Sequence, residues 1–93
     1  MNGRITEPIA EALRYLTRPD CDFLWSRWQG APQAIAELRE LAASASLGDH
    51  AALSKLDLLF APTGALQDLF NVNGWGDEFL RIADGFDSVR RNI

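Results

Sequence analysis

Leu58-Leu59-Phe60-Ala61-Pro62-Thr63-Gly64-Ala65-Leu66-Gln67-Asp68-Leu69-Phe70-Asn71-Val72-Asn73-Gly74-Trp75-Gly76-Asp77-Glu78-Phe79 is the stretch that decides how this chain folds. Two turn signals punctuate it. Pro62-Thr63-Gly64 breaks the helical pattern before it, since proline cannot continue the backbone ladder and glycine permits a reversal. Asn71-Val72-Asn73-Gly74-Trp75-Gly76 reads as a turn-rich connector. Between the two, Ala65 to Phe70 has room for one and a half helical turns. The simplest role of the interval is to aim a last helix back into the core.

Downstream, Phe79, Ile82, Ala83, Phe86 and Val89 recur at helical spacing, and Asp77 or Asn73 is placed to start that helix. Asp77/Arg81 and Asp87/Arg91 stand four apart with the acid first, the favourable order for intrahelical pairs. Upstream, Ala52, Leu53, Leu56, Leu59 and Phe60 form the apolar face of a helix for which Asp49 is a good N-cap. Gly48 can supply the left-handed stop of the helix before it. That helix opens at Pro32 and carries Ala34, Ile35, Leu38, Leu41, Ala42 and Ala45 on one face, with Glu37, Arg39 and Glu40 opposite. The first helix presents Ile5, Ile9, Ala12, Leu13 and Leu16, with Thr6 or Glu7 as cap and Pro8 in its first turn. Pro19 ends it by forcing Arg18 from α geometry, and Asp20 and Asp22 offer turn oxygens. Phe23 to Trp28 reads as a short helix with Trp25 and Trp28 on one side, closed by Gly30.

No alternating run is long enough for a strand. The expectation is one all-α domain over residues 1–93, a compact four- to five-helix bundle or orthogonal helical array. Its core is expected to hold Ile9, Leu13, Leu16, Trp28, Ile35, Leu38, Leu53, Leu56, Phe60, Phe79, Ile82 and Phe86.

Composition narrows the function classes. The 93 residues are 47% hydrophobic and 24% charged, ordinary for a globular domain and too few for two cores. Thirteen acids against nine bases give a net charge of −4, with no basic stripe to follow a phosphate backbone, so nucleic acid is not an expected partner. Arg90-Arg91, the one basic doublet, suits the negative end of a helix dipole. No run of roughly 18 apolar residues exists to cross a membrane, and Met1-Asn2-Gly3-Arg4 lacks a signal-peptide core. Cys21 is the single cysteine, so no intrachain disulfide can form. A cytoplasmic protein is the expectation.

Candidate chemistry is thin. His50, the single histidine, has no partner at a recognisable spacing and reads as a surface residue. Cys21 lies between Asp20 and Asp22, whose carboxylates oppose thiolate formation. One Cys and one His make no zinc set, and Glu7 and Glu11 read as a solvated face. Gly74-Trp75-Gly76 begins like a phosphate loop, but Phe79 stands where the third glycine is needed and no strand precedes it. No catalytic residue, metal or cofactor is expected. The aromatic residues Trp25, Trp28, Phe70, Trp75 and Phe79 are the one excess. Core packing is their plain reading. Trp25 and Trp75 also adjoin loops, and tryptophan is prominent in binding hot spots.

The run Leu58 to Asp68, with Asn73-Gly74-Trp75-Gly76-Asp77-Glu78-Phe79-Leu80, Phe86-Asp87, the Trp25/Trp28 pair and Gly48-Asp49, resembles a group of small bacterial proteins of unknown function. The resemblance covers about the last two-thirds of the chain. It implies a bacterial or bacteriophage origin and carries no activity. The lack of catalytic residues, the loop-placed tryptophans and the excess of acid lead to the expectation of a non-enzymatic protein-binding module (an inhibitor, immunity-type or adaptor protein) whose contact surface is centred on Trp75, Asp77, Glu78, Gln67 and Asp68, with Trp25. One alternative is a small ligand-binding or enzymatic domain using Thr63, Gln67, Asp68, Asn71 and Asn73. The other is a self-associating subunit, with a homodimer as partner.

Overall fold

The computed structural model describes residues 4–24, 26–62 and 64–92. Five helices account for most of it: α1 Thr6–Leu16, α2 Ala31–Ser46, α3 His50–Leu59, α4 Ala65–Val72 and α5 Gly76–Arg90. Among the described residues there is no strand. The all-α expectation therefore holds, with five helices.

The helices close into a ring. α1 packs on α2 and α5, α2 on α3, α3 on α4, and α4 on α5. α3 and α5, which flank α4, never bring their Cα traces within 8 Å of one another. Inside the ring the apolar faces meet: Ile9 and Leu16 from α1, Leu38 from α2, Leu53 and Leu56 from α3, and Phe79, Ile82 and Phe86 from α5. Trp28 and Phe60 are buried with them, whereas Leu13 and Ile35 reach the core only from its edge.

The largest departure from the sequence reading is α4. It has eight residues where one and a half turns are expected, and Leu66, Leu69 and Phe70 are buried with 0%, 1% and 0% of their surfaces exposed. Their i, i+3, i+4 spacing is that of a helix face. Closing the ring needs such a face between α3 and α5, and this burial holds a helix too short to persist alone.

Two of the turns are one device used twice. After α2, Gly48 Nα–H donates to Ala45 O at 2.9 Å and Asp49 Nα–H to Ser44 O at 3.1 Å. After α4, Gly74 Nα–H donates to Asn71 O at 3.1 Å and Trp75 Nα–H to Phe70 O at 2.8 Å. Each is a Schellman closure, and its glycine takes the left-handed φ, 85° at Gly48 and 77° at Gly74. The residue after each glycine is at once the N-cap of the next helix, Asp49 for α3 and Trp75 for α5. Asp49 caps with its carboxylate, accepting from Ala51 Nα–H at 2.9 Å. The connector expected over Asn71–Gly76 thus shrinks to Asn73-Gly74-Trp75, and α5 starts at Gly76 rather than at Asp77.

Three local expectations do not hold. Ile5, not Thr6 or Glu7, stands at the cap of α1, and no side chain caps it. The described residues of 23–30 form turns and bends rather than a short helix. There the Ser26 hydroxyl bonds the backbone of Phe23 and Trp28, a local alternative that competes with helix formation. Neither expected pair on α5, Asp77/Arg81 or Asp87/Arg91, forms. Arg81 reaches Glu11 on α1 at 2.6 Å instead, and it is Arg90, beside Arg91, that grips Asp57 of α3 through two hydrogen bonds, 2.9 and 3.1 Å. A bidentate arginine pair between helices offers better geometry than a flexible pair within one.

Candidate functional site

The turn between α4 and α5 carries most of the residues singled out from sequence. Trp75 is half-buried there. Its ring centroid lies 5.3 Å from Tyr15 and 5.9 Å from Phe70, and the Arg18 guanidinium sits 5.1 Å above it. The Trp75–Phe70 contact joins the two residues of the Schellman closure that are commonly paired hydrophobically. Trp75 therefore ties α1, α4 and α5 together, and the surface it leaves for a partner is shared with Arg18. Gln67 and Glu78 are half-buried, Asp68 and Asp77 are exposed. Trp25 and Thr63 lie outside the described residues.

Asn73 is spent on structure. Its Nδ2 donates to Leu69 O at 2.8 Å and Asp22 O at 2.9 Å, and its Oδ1 accepts from Asp22 Nα–H at 2.7 Å. The amide thus pairs with a backbone unit 51 positions away and pins the α1–α2 loop to the end of α4. It closes α4 instead of opening α5, and it is not free for a ligand. Each such bond contributes about 0.5–1.5 kcal/mol net. Asn73→Ala is expected to cost about 2 kcal/mol by urea unfolding, with faster hydrogen exchange at the Asp22 amide. Asn73→Asp is expected to cost at least as much, because it turns a carboxylate oxygen toward two carbonyls. A loss under about 0.5 kcal/mol in both would refute this clamp.

The structure opens two grooves elsewhere, and neither includes Gln67, Asp68, Asn71 or Asn73. The larger, about 670 Å³, runs along α2 and α3, with Leu41, Leu58 and Leu59 as its apolar surface and Arg27, Glu40 and Lys55 among its charges. At its edge Trp28 Nε1–H donates to Glu37 Oε1 at 3.3 Å while Arg27 pairs with Glu37 and lies over the Trp28 ring, 4.9 Å from its centroid. The smaller, about 430 Å³, is the slot left where α3 and α5 stay apart. The two meet at Ala61, which lines both. Leu58 is 72% exposed and Leu80 56%, one leucine in each groove. Both leucines fall outside the apolar faces of their own helices. That off-face position is the sequence signal for this region, and it is separate from the loop tryptophans.

Among the described residues, no group of three or more His, Cys, Asp and Glu side chains could hold a metal. Burial first, then Asp20 and Asp22, push the Cys21 thiol up to about 11, away from the thiolate that nucleophilic chemistry needs. His50 is exposed at the start of α3. Among the described residues, no helix is long and apolar enough to cross a membrane. Neither protein families, curated proteins nor solved structures give a match to this chain.

Proposed function

We propose that this domain is a non-enzymatic binding module for another protein, of the inhibitor, immunity or adaptor kind. The observation that supports it is the pair of exposed leucines, Leu58 and Leu80, one in each of two grooves that meet at Ala61. Exposed apolar surface rimmed by polar side chains is what interaction sites present. The ligand-binding alternative has less support, since Asn73 is bonded to the Asp22 backbone and Gln67, Asp68 and Asn71 line neither groove. The purified domain, immobilised and exposed to extract of its native host, is expected to retain one stoichiometric protein. A double variant, Leu58→Asp with Leu80→Asp, is expected to lose it while keeping its helical circular dichroism. Failure of the wild-type domain to retain any protein, or retention undiminished by both substitutions, rejects this reading.

A further inference from the structure

The slot between α3 and α5 has a definite chemical character. Its floor is the Phe60–Phe86 stack, with ring centroids 4.4 Å apart and planes within 4°. These rings hold the helices together where their backbones do not meet. One wall is a single face of α5, Leu80, Ala83, Asp84 and Asp87, at spacings of three and four. The opposite wall ends in Asp57 and the exposed Pro62. Every charged residue lining the slot is acidic. Asp57 is answered by Arg90, but among the described residues Asp84 and Asp87 enter no ion pair.

An apolar trough between two helices, with unanswered carboxylates along one edge, selects its occupant. Side chains at helical spacing can seat between the ridges of α3 and α5. Resting the occupant's flanks against Asp84 and Asp87 favours lysine or arginine there. A second copy of this chain is disfavoured, since two-fold pairing through the slot sets these carboxylates against their own copies. Anionic lipid and nucleic acid meet the same repulsion. Resting on the binding-module reading above, we infer that the α3–α5 slot receives a cationic amphipathic helix of the partner protein, its apolar face on Leu80, Ala83, Ala61 and Pro62 above the buried Phe60–Phe86 stack and its basic flank on Asp84 and Asp87.

The probe is a labelled synthetic peptide of about 14 residues, leucines at i, i+3, i+4 and i+7 and lysines flanking them. Its controls are a scramble that disperses the leucines and an analogue with glutamate in place of lysine. Expected results are binding of the leucine–lysine peptide that weakens with salt, and amide shift changes centred on Ala61, Leu80, Ala83 and Asp84. Asp84→Lys with Asp87→Lys is expected to weaken it at least ten-fold. Asp68→Lys with Asp77→Lys makes the same change of net charge off the slot and is expected to weaken it far less. All four residues are exposed, so the variants retain the core. Shift changes centred elsewhere, equal binding of the scramble or the glutamate analogue, or equal losses in the two charge-reversed variants would overturn the assignment. Capture of a host partner unaffected by Asp84→Lys/Asp87→Lys but lost on Leu58→Asp/Leu80→Asp would also overturn it, leaving the binding-module reading intact. Absence of any captured partner, or capture undiminished by Leu58→Asp with Leu80→Asp, is what rejects that broader reading.

Discussion

Phe70→Ala is expected to remove about 3–5 kcal/mol, the usual cost of deleting a buried phenylalanine ring. A domain of this length is stable by roughly 5–14 kcal/mol, so the loss is a large share of the whole. Phe70 is fully buried and meets rings from three directions, with centroid distances of 5.3 Å to Tyr15, 5.9 Å to Trp75 and 5.7 Å to Phe79. Removing it empties the junction of α1, α4 and α5 and leaves the Trp75 ring without its edge-on partner. The thermal midpoint is expected to fall by roughly 12–40 °C in circular dichroism, given 3–5 kcal/mol lost at about 4–8 °C per kcal/mol for this size. Val72→Ala on the same helix, at an exposed position, is the companion measurement and is expected to stay within about 0.5 kcal/mol. If Phe70→Ala behaved like Val72→Ala, α4 would not be part of the core.

Gly64→Ala and Gly85→Ala are expected to move stability in opposite directions although the chemical change is identical. A Cβ on Gly64 would lie 2.3 Å from Leu58 O and 2.7 Å from Leu59 O, the carbonyls that end α3. The backbone of Gly64 is at φ −82° and ψ 173°, open to any residue, so the penalty comes from close approach and not from dihedral strain. Both clashing atoms are main chain and cannot swing aside. The α3–α4 turn must open, costing about 3 kcal/mol, and it carries Ala61, where the two grooves meet. A Cβ on Gly85, within α5, meets nothing within 4 Å. Alanine there is expected to stabilise by about 0.5–1 kcal/mol through the lower entropy of the unfolded chain. Paired urea titrations read both signs, and a neutral Gly64→Ala would show that the turn does not close as described.

Trp75 shows why the candidate site was only partly legible. Its place beside a loop was readable, but the loop is a closure only about three residues long that turns the indole onto Tyr15 and Phe70. Asn73 was readable as a polar turn residue, and its actual partner, Asp22, lies too far along the chain for any spacing to reveal. Leu58 and Leu80 were visible as leucines off their helices' apolar faces. That they open into adjoining grooves depends on how far α3 and α5 stand apart.

By itself the sequence determined the local events. Helical periods set which faces are apolar, Gly48 set a left-handed stop, and Asp49 set a cap, because each acts within a turn or two of its own backbone. Tertiary structure alone decided that α4 is core, that Arg81 pairs with Glu11 rather than Asp77, that Arg90 bridges to Asp57, and that an acidic slot remains between α3 and α5. Those outcomes follow from closing five helices into a ring, which brings together residues up to 70 positions apart. Burial and bidentate pairing across the ring then outweigh the few tenths of a kcal/mol that local pairs contribute.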